Sequence, residues 1–393
     1  MKLSPRSLAL ALAAPLLALL VALVVTSLVL AVAGDPVGTV WTELLRRPSP
    51  RLVAKILNGA IVYYLAAVAL AVGFRMNLFN IGVEGQYRVA VFAAAVFGAQ
   101  GFLPGWANIT ATTLVAMAVG AAWASIGAYL KVKRGVSEVI SSIMLNAVAT
   151  GLVAFLLTRT RDSSADAGSN VANTTPLPQD SWVPGLALVP GSSTKVYGLL
   201  ALALLVGLAY WIVLGRTRFG FDLRASGLSE SAAVASGVDA RRMVVRTLLL
   251  SGACAGLIGL PLLFGQDHAY GTNFQAGIGF AGIGIALLGR NHPIGMAVAA
   301  LLWAYLDQQG NGLQIKAGVS PELVNIIQGV IVLAVVIAYE IVRRLSARLE
   351  QSAVARDLGE ASGSSTSGTP APGSRTGSAG GATSATTTSG ARA

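Results

Sequence analysis

The residues best placed to do chemistry lie in two short polar stretches set among long apolar runs. Residues 79–86 read F-N-I-G-V-E-G-Q and put Asn80, Glu84 and Gln86 beside two glycines. Residues 136–146 read V-S-E-V-I-S-S-I-M-L-N, with Ser137, Ser141, Ser142 and Asn146 as their hydrogen-bonding groups. An acidic side chain at the centre of a membrane helix costs on the order of 3 kcal/mol on insertion scales, so these groups should face water or protein. The chemistry open to them is polar recognition along a path, or hydrogen bonding that ties helices together. Asn80, Glu84, Gln86 and Asn146 are therefore the candidate lining of a substrate pathway. The first three fit equally well in a turn at the cytoplasmic interface, beside Arg75 and Arg88. The glycines of the first stretch permit a broken helix whose freed backbone groups line a cavity.

Other chemistry is missing from the sequence. No G-x-x-x-x-G-K-[ST] occurs, and residues 191–195, G-S-S-T-K, lack its spacing and second glycine, so ATP hydrolysis by this chain alone is not expected. The one cysteine, Cys254, lies in an apolar run, and the two histidines, His268 and His292, are far apart in sequence. Neither a metal site nor an enzyme's nucleophile and base can be assembled from them. Residues 277–295 are dense in glycine, but no strand precedes them; their spacing speaks for close helix packing and a hinge, not for a nucleotide.

The elements that must position these groups can be read from composition. The chain has 393 residues, 54% hydrophobic and 11% charged, with a formal net charge of +11 and a mean hydropathy of +0.68. Its basic residues cluster beside apolar runs, as topology signals do, and form no stripe of the kind that binds nucleic acid. The expected fold is all-α, a polytopic membrane bundle of about ten helices. Its spans fall near residues 8–33, 55–74, 82–103, 108–130, 137–158, 196–214, 243–265, 275–289, 293–309 and 321–341. The first run is longer than a signal-peptide core and reads as an uncleaved helix. With both termini cytoplasmic, about twenty of the 28 Lys and Arg fall inside. Arg46, Arg47, Arg51 and Lys55 fall outside, where a short amphipathic surface helix is expected.

The permease domain covers residues 1–349 and includes two notable segments between spans. Residues 159–195 form a long polar external loop, either a contact for a delivery protein or a connector. Residues 216–246 are the longest charge-bearing interval between two spans and hold a short helix near residues 229–236. Gly227 suits its start, Gly237 suits its left-handed stop, and Ala232, Ala233 and Ala235 leave a surface a partner can approach. Beyond the domain, residues 350–393 are rich in Ser, Gly and Thr and read as a disordered cytoplasmic tail.

Four stretches, in order, resemble the permease subunit of a bacterial ABC importer: residues 79–86, 137–146, 224–238 (R-A-S-G-L-S-E-S-A-A-V-A-S-G-V) and 279–290 (G-F-A-G-I-G-I-A-L-L-G-R). The family is that of branched-chain amino acid, ribose and nucleoside permeases. The form of the first stretch resembles the nucleoside and simple-sugar branch, which works with basic-membrane-lipoprotein-type binding proteins. The G-I-D-L-S-V-G form of ribose-type permeases is absent, which favours a nucleoside as cargo.

The resemblance implies that residues 224–238 dock on an ABC ATPase subunit, with Arg224, Gly227, Ser229, Ala232, Ala233 and Gly237 in the coupling segment; many members carry Asn where Ser229 stands. Ala233→Arg should then remove transport and ATPase co-purification while leaving the chain in the membrane. The resemblance also implies a second permease subunit, identical or homologous, an extracytoplasmic substrate-binding lipoprotein, and a multi-pass location in the bacterial cell membrane. No cofactor is expected here, ATP and Mg belonging to the ATPase. The alternatives are a simple-sugar permease or an ion-coupled secondary transporter, which would need more intramembrane carboxylates than Glu84.

Overall fold

A long apolar segment can satisfy its backbone in hydrocarbon only as a helix or a closed barrel, and this chain takes the first course. The computed structural model describes residues 20–160, 172–272, 274, 276–317, 323–330, 332–334, 337–338, 341 and 344. Its compact unit is residues 1–340; a second unit, residues 341–393, is described only at Ile341 and Arg344. The first part of the expected first span and the expected tail lie outside the described residues.

The helices are α1 (Leu20–Ala33), α2 (Val37–Leu44), α3 (Pro50–Phe74), α4 (Val83–Ala99), α5 (Gly105–Arg134), α6 (Glu138–Arg159), α7 (Leu200–Arg216), α8 (Arg218–Leu228), α9 (Glu230–Ala235), α10 (Ala240–Gly256), α11 (Leu260–Leu262, continued by a π turn to Asp267), α12 (Ile278–Leu288), α13 (Pro293–Ala317) and α14 (Leu323–Ala334). Two isolated bridges, Asn173 with Gly271 and Leu186 with Val196, are the β-pairings among the described residues. Each of the ten apolar stretches overlaps a helix among the described residues. Among the described residues, four helical stretches are long and apolar enough to cross a membrane unaided, or five when α7 and α8, bent by 70°, count as one. α4 and α12 are shorter because the chain breaks inside the bundle, whereas α13 is long but less apolar.

Helix α3 is the axis. Within its most apolar window 89% of residues are buried, against 22% for α5 and 28% for α6, whose outward faces are left for lipid or another chain. Its small residues Ala66, Ala67, Ala69 and Ala71 are fully buried and let α10, α12 and α13 pack around it. The closest crossing is between α5 and α10, where the backbones of Gly120 and Gly252 meet and a side chain on either glycine would overlap the other's carbonyl. A satellite cluster of Leu30, Val40, Leu44, Leu306 and Leu323 joins α1 and α2 to α13 and α14. The short helix α2 precedes Arg46 and Arg47, while Arg51 and Lys55 fall in the opening turns of α3.

Two breaks matter most. After α3 the chain turns at Arg75, whose Nη2 donates to the Asn291 carbonyl at 2.8 Å, and at Asn77, whose φ is 55°. It then re-enters the bundle. Asn80 is already level with Ala69, because both bond the Ser251 hydroxyl, so α4 starts about 7 Å inside the end of α3. The second break comes after Asp267; no described residue is helical from there until Gly277, φ +85°, opens α12.

The polar loop before α7 is strapped down across residues 172–199. Thr174 N–H donates to the Tyr270 carbonyl, Leu177 N–H to the His268 carbonyl and Val183 N–H to the Phe264 carbonyl. Asn58 of α3 holds its last part, donating to the Lys195 carbonyl and accepting from Tyr197 N–H. Residues 161–171 of the expected loop lie outside the described residues.

Candidate functional site: two half-helices and a two-helix end segment

Glu84 sits where the two breaks meet. It lies in the first turn of α4, and its carboxylate accepts from the backbone N–H of Gly277 at 2.9 Å and of Gly279 at 2.8 Å, the opening of α12. One buried carboxylate therefore faces the positive ends of two helix dipoles, an arrangement that stabilises negative charge. Arg88, one turn along α4, donates from Nε to the same carboxylate at 2.8 Å. Gly279 allows this approach, since a Cβ there would lie 2.7 Å from the Glu84 Cα; Gly282, one turn on, packs on Ala66 and Leu70 of α3.

The neighbouring polar groups are paired off in the same way. Asn80 and Gln86 exchange two amide hydrogen bonds, at 3.0 and 2.9 Å, and Asn80 also donates to Ser251 Oγ at 2.8 Å. Asn146 of α6 accepts from Gly85 N–H at 2.9 Å and donates to the Ile81 carbonyl at 3.0 Å, satisfying the backbone left open by the break. Asn80, Glu84, Gln86 and Asn146 are all within 8% exposure. The structure thus brings together the four residues singled out in the sequence, bonded to one another's helices and well inside the bundle. Asn80 and Gln86 also border a small cavity shared with Trp123, Glu138, Ser142 and Leu248. Of residues 137–142, Ser141 turns back on its own helix and Glu138 pairs with Lys131.

Sequence reasoning missed Ser251, the backbone of residues 277–279 and the specific part of Arg88. The only signal was the four-residue step from Glu84 to Arg88 on one helix face. Beside them the aromatic rings of Phe92, Tyr270 and Phe274 are buried against one another, Tyr270 and Phe274 stacked at 4.9 Å and Phe92 edge-on to Tyr270 at 5.6 Å.

The second feature is the α8–α9 segment. Thr217 caps α8, accepting from Gly220 N–H, and Ser229 caps α9, accepting from Ala232 N–H at 3.3 Å. The start of the short helix is therefore set by Ser229 and not by Gly227. Gly227 has another use, for its Cα lies against the turn after α3, where a Cβ would be 2.8 Å from the Met76 Cα, and its carbonyl accepts from Asn77 at 2.7 Å. Gly237, φ +85°, ends α9 as expected, with Val238 N–H donating back to the Ala233 carbonyl. Ala233 is buried and Ala232 exposed, while Leu228 is 88% and Val234 56% exposed. An arginine at 233 would disturb the segment itself; the outward apolar groups are Leu228 and Val234. Arg224 is half-buried on α8.

Half-helices that meet inside a helical bundle, beside helices long and apolar enough to cross a membrane, are an arrangement used by membrane transport proteins. The chain belongs to the family described as branched-chain amino acid transport system / permease component, whose profile matches residues 52–336. It is similar to the guanosine ABC transporter permease protein NupP of Bacillus subtilis, 30% identical over 83% of this chain and 93% of that one. It is also similar to the glucose ABC transporter permease protein TsgB13 of Haloferax volcanii, 32% identical over 81% and 85%. A third relative is the nucleoside ABC transporter permease protein NupB of Lactococcus lactis, 29% identical over 74% and 80%.

Proposed function

We propose that this chain is the membrane permease subunit of an ATP-driven importer of nucleosides, working with a separate ATPase, a second permease chain and an extracytoplasmic binding lipoprotein. The observation that carries the reading is its similarity, over most of its length, to guanosine and nucleoside permeases. The end bearing α8 and α9 is cytoplasmic in this proposal. Lys131, Lys133, Arg134, Arg216, Arg218, Arg241, Arg242 and Arg246 gather there, as the positive-inside tendency requires.

Residues 224–238 are the coupling segment, with Leu228 and Val234 presented to the ATPase and Arg224, Gly227, Ser229, Ala232, Ala233 and Gly237 giving it its shape. Asn80, Glu84, Gln86 and Asn146 border the pathway as its frame, fixing where α4 and α12 begin. Closure of the ATPase on ATP pulls on α8 and α9, and the contact of Gly227 with the turn after α3 carries that movement to the base of α4.

The glucose-permease relative, at similar identity and coverage, favours a second reading, a simple-sugar importer. Radiolabelled uptake in cells with and without this gene separates the two. Loss of guanosine uptake on deletion supports the nucleoside reading; intact guanosine uptake with lost glucose uptake overturns it in favour of the sugar.

A further inference from the structure

Glu84 and Arg88 spend their bonds unequally. Both Glu84 oxygens are engaged, by two backbone N–H groups and by Arg88. Arg88 donates through Nε alone, and its two Nη groups have no partner among the described residues. Its side chain is 19% exposed while Tyr87, Phe92, Tyr270 and Phe274 around it are buried.

The depth of this opening gives it meaning. Through the packing of Gly282 on Ala66 and Leu70, Glu84 lies about 12 Å in from the α8–α9 end of α3, and Arg88 about 6 Å further along α4. In a hydrocarbon core of roughly 30 Å that is the middle. A guanidinium opening onto lipid there is costly, so the opening faces water or a polar molecule. The pair carries no net charge, which suits an uncharged cargo. The free edge of the guanidinium is planar and donates two parallel bonds, which suits two adjacent acceptors.

We propose that Arg88 is a cargo-contacting residue at mid-membrane, held at Nε by Glu84 so that its Nη groups meet a pair of neighbouring acceptors on a neutral polar molecule, such as the O6 and N7 edge of an oxopurine. The proposal rests on the importer reading. It goes beyond that reading in separating the frame residues, which are bonded within the protein, from a polar group beside them that keeps donors to offer.

The test uses the whole transporter in proteoliposomes. Arg88→Lys keeps the charge and loses the fork; [3H]guanosine uptake is expected to fall about tenfold or more while assembly with the ATPase is unchanged. The double variant Glu84→Gln with Arg88→Gln removes both charges, and uptake is expected to stay low. Recovery to the wild-type rate in the double variant would mean that Arg88 serves only as counter-ion to Glu84, and would overturn the proposal.

Arg88→Cys in a transporter with Cys254→Ala and no other cysteine gives a readout independent of cargo. The new thiol is expected to react with an impermeant methanethiosulfonate reagent in the ATP-free or the nucleotide-trapped state. A thiol inert in both states overturns the placement on the path. A thiol that reacts in the Arg88→Cys variant, together with a wild-type transporter that imports no guanosine, sinks the nucleoside reading and leaves the path assignment standing.

Discussion

Each polar side chain at the base of α4 has an identified partner, and that explains how so many survive inside an apolar bundle. A buried amide is tolerated when its hydrogen bonds are made and expensive when one is stranded. Asn146→Ala leaves the Gly85 N–H and the Ile81 carbonyl without partners, a loss of about 1–3 kcal/mol for each group. The thermal midpoint of the purified chain in detergent should fall by several degrees, and an unchanged midpoint would show that the bonds contribute nothing. The residue types were legible in the sequence, since amides and a carboxylate between apolar runs must face protein or water. Their partners were not, because Asn80 reaches Ser251 across 171 positions and Glu84 reaches Gly279 across 195. Hydropathy carries no information about such pairings. Ser251 and the Gly277 backbone do not stand out until the fold brings them to Glu84.

At the scale of elements, apolar stretches located the helices well and their continuity poorly. The intervals 75–81 and 266–274 read from the sequence simply as turns between spans, yet α4 and α12 begin afresh inside the bundle just beyond them. Glycine density in residues 277–295 was the usable signal, and the close contacts of Gly279, Gly282 and Gly289 bear it out. For the end segment, a short helix stopped by Gly237 was legible. Its Ser229 cap was assigned to Gly227 instead, because a glycine can serve either as a cap or as a point of close approach, and sequence does not distinguish them. The exposed pair Leu228 and Val234 yields a sharper substitution than Ala233. Val234→Asp is expected to leave a monodisperse, folded chain that no longer co-purifies with its ATPase, with transport reduced more than tenfold. Retained co-purification would show that the docking surface lies elsewhere.

Taken whole, the molecule is a helical gate whose central helix α3 connects the features that matter. Its far end anchors the strapped loop through Asn58, its middle packs on α12, and its near end turns into the contact with Gly227. Class and family were legible from composition and four motifs, while the meeting of two half-helices at Glu84 required the three-dimensional fold. The account's central claim is that the chain transports only when driven from α8 and α9. Guanosine uptake into proteoliposomes, measured with the permease chains and binding protein alone and again with the ATPase and ATP, tests it most directly. Accumulation is expected only when ATPase and ATP are both present; accumulation driven by a proton or sodium gradient in their absence would contradict this dependence.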